Sequence, residues 1–404
     1  MTSALKTAAR RNVWVLTAAQ SLGGASTPIV ISLGGLVGQR LASDPALATL
    51  PVSLLNLGLA LGTIPAALVM RRFGRRPGYL LGAVLGLLSG LIATFGILQG
   101  SFLIFCLGTG LAGFYAAYVQ SYRFAAADSA APGESHKAIA RVMLGGLVAA
   151  VIGPQLVIWT RDALPGAPFA GSFLSQAALA ALAFPVLLLF RRPPPAAQTH
   201  AAHDADRPLF AILKTPSCAL AIATGVVSYG LMTFVMTASP MAMVGHGHSV
   251  EDAALGIQWH ILAMYGPSFL TGRLMARFGK PRVAAAGLVL IATSAAVALS
   301  GEDIGHFWIA LVLLGVGWNF GFIGGTAMLT ETHTPGERTK VQGANDFLVF
   351  GIVAAGSFFA GSLLHSSGWR TINWWVLPLT ALILVPLLWR STRAAPLSQR
   401  QGEN

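Results

Sequence analysis

Charge is scarce in this chain, and that scarcity decides its class before any motif is read. Of 404 residues only 10% are Asp, Glu, Lys or Arg, 54% are hydrophobic, and mean hydropathy is +0.68. Soluble domains carry about 25% charged residues, so the composition is that of a polytopic membrane protein. Acidic residues are the scarcer sign, 14 against 26 basic ones, which leaves a net charge of +12. No basic stripe with interleaved aromatics lies outside the apolar segments, so nucleic acid is excluded as a partner. Cysteine is nearly missing. Cys106 and Cys218 form no CxxC and stand at the edges of different apolar runs, so both read as small core residues with no disulfide between them. There is no P-loop, nucleophile elbow or zinc-protease motif, so neither nucleotide hydrolysis nor enzymic catalysis is supported, and no prosthetic group is expected. The N-terminal MTSALKTAARRNVWVL leads into an apolar run reaching about Val37 without a small-residue cleavage pattern. It reads as a first transmembrane helix, not a signal peptide.

What is abundant is apolar sequence in membrane-length runs. Spans are predicted at about 13–38, 47–70, 77–98, 101–124, 138–160 and 169–190, then at about 212–243, 250–275, 283–300, 305–330, 340–364 and 369–390. This predicts an all-α membrane protein of twelve transmembrane helices in two six-helix bundles, 1–190 and 211–404, joined by a polar, Pro-rich linker over 191–210. With both termini in the cytoplasm, 23 of the 26 Lys and Arg residues fall on that side, and only Arg40, Arg161 and Arg370 do not. The halves also repeat one another. Val69-Met-Arg-Arg-Phe-Gly-Arg-Arg, after the second span, recurs after the eighth as Leu274-Met-Ala-Arg-Phe-Gly-Lys-Pro, offset by 205 residues.

One hairpin concentrates soft metal-ligand side chains. Between Gly230 and Gly266, Met232 and Met236 are four apart, as are His260 and Met264, so each pair shares one face of its helix. In an antiparallel hairpin centred on His248, Met236 would stand level with His260 and Met232 with Met264. Ser249 and Asp252 read as a capping box, so the second helix starts near Val250 and His260 lies roughly 15 Å inside the membrane. Thioethers with an imidazole suit Cu(I) better than hard cations, and an ionisable group at that depth is a functional hypothesis by default. Methionine is also an ordinary core filler, and both readings stand at this point. His246, His248, Glu251 and Asp252 lie in the loop above, either as an outer-mouth capture site or as a solvated loop and helix cap.

Arg72-Phe-Gly-Arg-Arg76, with Gly272 and Arg277-Phe-Gly-Lys280 in the second half, resembles the major facilitator superfamily across about 13–390. Arg71 and Ala276 stand where that family's loop usually has an acidic residue. The resemblance implies that spans 1, 4, 7 and 10 line a central cavity, with the site at the midplane. Met232, Met236, His260 and Met264, with the text IQWHILAMYGPSF around them, look like the CcoA-type copper importers within that superfamily. That likeness implies copper uptake across a bacterial inner membrane, membrane lipid and a cytoplasmic copper acceptor as partners, supply of copper to a cbb-type cytochrome c oxidase, and a working monomer. The same branch is similar to riboflavin transporters, so an organic-solute importer is the alternative, and a non-transporting copper receptor is a second. Asp346 is a candidate coupling carboxylate or a loop anchor at the start of the eleventh span. Asn56, Tyr115, Tyr118, Gln120, Gln258, Trp259 and Asn319 are candidate cavity-lining residues.

Overall fold

A computed structural model describes residues 3–130, 135–191, 207–334 and 336–393. Most of the expected linker, 192–206, lies outside the described residues. All regular structure described is helical. The helices are α1 (Ser3–Gly23), α2 (Ser26–Leu41), α3 (Leu50–Phe73), α4 (Arg75–Leu98), α5 (Phe102–Ser129), α6 (Ser135–Thr160) and α7 (Ala170–Leu188). They continue as α8 (Leu209–Leu213), α9 (Pro216–Gly245), α10 (Val250–Tyr265), α11 (Ser268–Phe278), α12 (Lys280–Ser300), α13 (Ile304–Leu329) and α14 (Arg338–Arg393). A single turn of 3-10 helix, Pro45–Leu47, follows α2.

Among the described residues ten helical segments are long and apolar enough to cross a membrane. The twelve expected spans are still there. α14 holds the last two, broken at Gly368, whose φ of 77° and ψ of 174° only glycine adopts readily. The eighth span is split into α10 and α11 at Gly266-Pro267, and each piece is too short to span alone. Proline lacks the amide hydrogen a continuous helix would use there, and Asn319 of α13 takes up the break. Its Nδ2 donates to Met264 O at 2.6 Å and to Ser268 Oγ at 2.7 Å, while its Oδ1 accepts from Thr271 Oγ1 at 2.5 Å. A buried amide with three partners is what a broken helix in a membrane needs.

The sequence repeat is a structural repeat. Gly74 (φ 94°) separates α3 from α4, and Gly279 (φ 88°), 205 residues on, separates α11 from α12. The basic residue after each glycine ties the third span of its bundle to the end of the fourth: Arg75 to Asp128, and Lys280 Nζ to Glu331 Oε1 at 2.6 Å. Helices cross closely where glycine allows it. A Cβ on Gly113 of α5 would stand 2.1 Å from Leu55 O of α3, the small-residue packing usual in membranes.

Several polar ties join the two bundles at the end remote from the basic loops. Arg161, after α6, pairs with Glu251 at the start of α10, with Nη1 to Oε2 at 2.6 Å. Gln155 Nε2 donates to Gln258 Oε1 at 3.0 Å, and Thr49 Oγ1 donates to Phe358 O at 3.2 Å. At the basic end, Arg207 grips the buried Glu337 through Nε at 2.8 Å and Nη2 at 2.7 Å. That guanidinium, with the Thr334 amide, holds the Glu337 carboxyl well below the usual carboxylate range.

Candidate functional site

Helices α9 and α10 carry the four Met and His candidates, as the sequence predicts. α10 starts at Val250 behind a complete Ser249–Asp252 capping box. Met232, Met236, His260 and Met264 are all buried, the three methionines within one apolar cluster with Val235, Ile257, Ile261 and Leu311. The histidine, however, is engaged by the neighbouring helix: its Nδ1 donates to Leu311 O of α13 at 2.7 Å. Its Nε2 is buried with no hydrogen-bond partner among the described residues. α10 packs mainly on α13 and on α6, and only lightly on α9.

The four loop candidates are spoken for. His246 Nδ1 donates to Ala242 O at 2.7 Å, and His248 Nε2 donates to Glu302 O at 2.8 Å. Glu251 is the partner of Arg161, and Asp252 closes the capping box. Each therefore holds the loop or the two bundles together. Among the described residues no group of three His, Cys, Asp or Glu side chains is placed to hold a metal ion.

A different cluster gathers from helices far apart in sequence. Tyr229 of α9 meets Trp318 at 5.4 Å between ring centroids, Phe322 at 5.1 Å and Phe350 at 6.0 Å. Trp318 and Phe322, one turn apart on α13, stack at 5.3 Å with planes 16° apart, and Tyr265 at the end of α10 meets Trp318 at 6.1 Å. Tyr229 lies thirteen residues into α9 and Trp318 fourteen into α13, or about 20 Å along each helix. Both are close to the middle of a roughly 30 Å hydrocarbon core. The cluster sits at the boundary between bundles, because Phe350 of α14 also packs against the first bundle's core of Tyr79, Tyr118 and Tyr122. The Trp318 indole N–H is buried without a partner among the described residues.

Polar groups border this cluster. Asp346, one turn before Phe350 on α14, is exposed and receives a hydrogen bond from Asn345 Nδ2 at 3.1 Å. Arg123 of α5, also exposed, lies with its guanidinium over the Phe124 ring at 4.9 Å and directly follows Tyr122, a member of the core that Phe350 packs against. The other cavity candidates divide. Gln258 bridges the bundles, Asn319 holds the α10–α11 break, and Trp259 forms a surface groove with Trp308. Tyr115 and Tyr118 are buried against Gly86 and Gly82 of α4, while Asn56 and Gln120 are half-buried. The five ring residues were not singled out from sequence. Their signal was present in two i, i+4 pairs, Trp318 with Phe322 and Asp346 with Phe350, each on one helix face.

Two pseudo-symmetric bundles of membrane-length helices, the second with a broken helix, define a polytopic membrane protein of two-bundle architecture. The chain belongs to the Major Facilitator Superfamily, whose family model matches residues 13–268 and 220–403. It is 67% identical over 384 residues to the riboflavin transporter RfnT of Brucella anthropi, covering 95% of this chain and 96% of that one. It is 31% identical over 402 residues to YddS, an uncharacterized MFS-type transporter of Bacillus subtilis, with 94% and 91% covered. Among solved structures, the nucleoside transporter NupG superposes with a TM-score of 0.70 at 13% identity, covering 93% of this chain and 98% of that one. A POT family transporter in complex with 5-aminolevulinic acid gives 0.73 at 13% identity, with 96% and 97% covered. At that identity the likeness is one of fold alone.

The relative at 67% identity corrects the copper expectation. The chain's strong likeness runs to a riboflavin transporter and not to the CcoA-type importers. Copper import, copper as the bound substrate, a cytoplasmic copper acceptor and a part in oxidase assembly lose their support together. The physical reason lies in the hairpin. Thioethers at helical spacing also pack apolar cores, and all three methionines here lie in one.

Proposed function

We propose that this protein imports riboflavin, or a flavin close to it, across a bacterial inner membrane by alternating access. The observation that carries the reading is the 67% identity, over 95% of the chain, to a riboflavin transporter. The aromatic cluster supports it independently of the name. A flavin offers a flat heteroaromatic ring and a flexible polyol tail. Tyr229, Trp318, Phe322 and Tyr265 supply π faces at mid-membrane depth, and stacking of that kind is worth about 1–3 kcal/mol per aromatic partner. Ligand sites in such folds lie at the midplane between the bundles.

In this reading the units that rock are 1–190 and 211–404, joined by the 191–210 linker. Both termini face the cytoplasm, which follows from the Lys and Arg bias. The Arg161–Glu251 and Gln155–Gln258 ties then lie at the periplasmic end and open when substrate enters from outside. The protein acts as a transporter and not an enzyme, needs no prosthetic group, and works as a monomer.

Radiolabelled riboflavin uptake tests the proposal, in bacteria lacking both flavin synthesis and their own importer. The chain should restore uptake and growth at low external riboflavin, while leaving cellular copper unchanged. Absence of riboflavin uptake at verified membrane expression would sink it.

A further inference from the structure

Riboflavin is neutral, whereas its 5′-phosphate carries about −1.5 to −2 charges near pH 7. A flavin importer therefore meets two ligands with the same ring and different tail ends. The groups bordering the aromatic cluster bear on that choice. Asp346 and Phe350 are four apart on α14, so they share a face with about 6 Å between them along the axis. Phe350 closes one side of the ring cluster through Tyr229. Asp346 thus lies one turn from the ring seat, the reach of an extended five-carbon ribityl chain. Its side chain is exposed within a membrane span, and its one hydrogen-bond partner among the described residues, Asn345 Nδ2, is a neutral donor. A carboxylate in such a place is costly to keep and marks a functional position.

Arg123 comes from the other bundle, on α5, and directly follows Tyr122 in the core against which Phe350 packs. It forms no salt bridge among the described residues, so its fork of donors remains available beside the ring seat. Alone, a guanidinium in that position would be a phosphate receptor, since its planar fork matches phosphate oxygens bidentately. With Asp346 nearby, the two charges balance. Hydroxyl groups can then donate to the carboxylate and accept from the guanidinium, while a phosphate meets a like charge.

We propose that Asp346, set against Arg123, is a charge filter that admits the neutral ribityl tail of riboflavin and turns away flavin 5′-phosphate. This assignment rests on the flavin reading above and adds which tail the site selects. It makes Asp346 a specificity residue in place of the coupling carboxylate its position in the sequence suggested.

The test uses the full-length protein, purified and reconstituted, titrated with riboflavin and with riboflavin 5′-phosphate while flavin fluorescence is followed. Asp346→Asn should raise the ratio of phosphate-form to riboflavin affinity at least tenfold, whatever happens to riboflavin affinity itself. Asp346→Glu, which keeps the charge, should hold the ratio near that of the intact chain. An unchanged ratio in folded Asp346→Asn protein overturns the filter. Should that variant fail to fold, Arg123→Gln provides the converse. Leaving Asp346 unopposed, it should gain at least tenfold for 5′-amino-5′-deoxyriboflavin relative to riboflavin, and no gain overturns the proposal. Failure of the intact chain to bind either flavin removes the flavin reading itself, a result distinct from an unchanged ratio.

Discussion

Two regions of the second bundle compete for the role of substrate site, and they contrast in how their side chains are satisfied. In the Met232/Met236/His260/Met264 stripe the thioethers sit in an apolar cluster and the imidazole is bonded to Leu311 O. In the cluster of Tyr229, Tyr265, Trp318, Phe322 and Phe350 the rings stack at a boundary between bundles, beside two charged groups that the protein leaves exposed. The stripe is rich in ligand atoms but turned into packing. The cluster is plain in composition but placed at the boundary between the bundles. Placement, more than the chemical reputation of the residues, separates them.

The widest separation between the two regions should come from removing the aromatic faces. Tyr229→Ala combined with Trp318→Ala is expected to lower riboflavin uptake at least ~30-fold at matched expression, from two stacking partners worth about 1–3 kcal/mol each. Retained uptake in that variant would move the site elsewhere. Asn319→Ala comes next, because it acts on the cluster through the broken helix. Losing the amide strands the Met264 carbonyl in the bundle interior, at about 1–3 kcal/mol for a group left without a partner, while the Thr271 hydroxyl keeps Pro267 O. Thermal unfolding of the purified protein should shift down accordingly, and uptake should fall as Tyr265, at the same break, loses its position against Trp318.

The difference between the regions also explains what could be read in advance. Span positions, the two-bundle plan and the 205-residue repeat all rest on local hydropathy and short text, and each appears in the fold. The α10 start at Val250 was legible because a capping box is a four-residue signal. The break at Gly266-Pro267 was not read, although the proline was in plain view, because what makes it tolerable is Asn319, some fifty residues away. The aromatic cluster draws on four helices, and no spacing within one helix announces which faces meet. Attention went instead to the stripe, whose ligand-like residues happen to lie close together in sequence.

A smaller effect is expected at the ties that close the periplasmic end. The Arg161 and Glu251 side chains are 22% and 36% exposed, and Arg161 also bonds to Asp162 at 2.9 Å. Solvent therefore screens the pair, and its worth is about 1 kcal/mol or less. Glu251→Gln should shift the population toward the outward-open state by no more than about fivefold. A single thiol at the buried Met241, which lines the crevice beside His246 and Trp369, reports this as faster labelling from outside. Both native cysteines are buried, so the background is low. Unchanged labelling would place the closure in the apolar contacts of α3 and α14 instead.

The smallest effect is the one that bears most directly on the contrast. Met232→Leu with Met236→Leu removes both thioethers from α9 while nearly conserving volume, and such swaps usually cost less than about 1.5 kcal/mol in a packed core. If the stripe is packing, riboflavin uptake should stay within about twofold of the intact chain, because leucine fills the same apolar space that Val235 and Ile257 define. If the sulfurs do chemistry in transport, leucine cannot replace them and uptake should collapse while the protein remains folded. His260→Asn sharpens the same point from the neighbouring helix. Asparagine can still donate one hydrogen bond toward Leu311 O but has no imidazole nitrogen for a soft metal, so retained uptake in both variants would leave the stripe a structural element of α9 and α10.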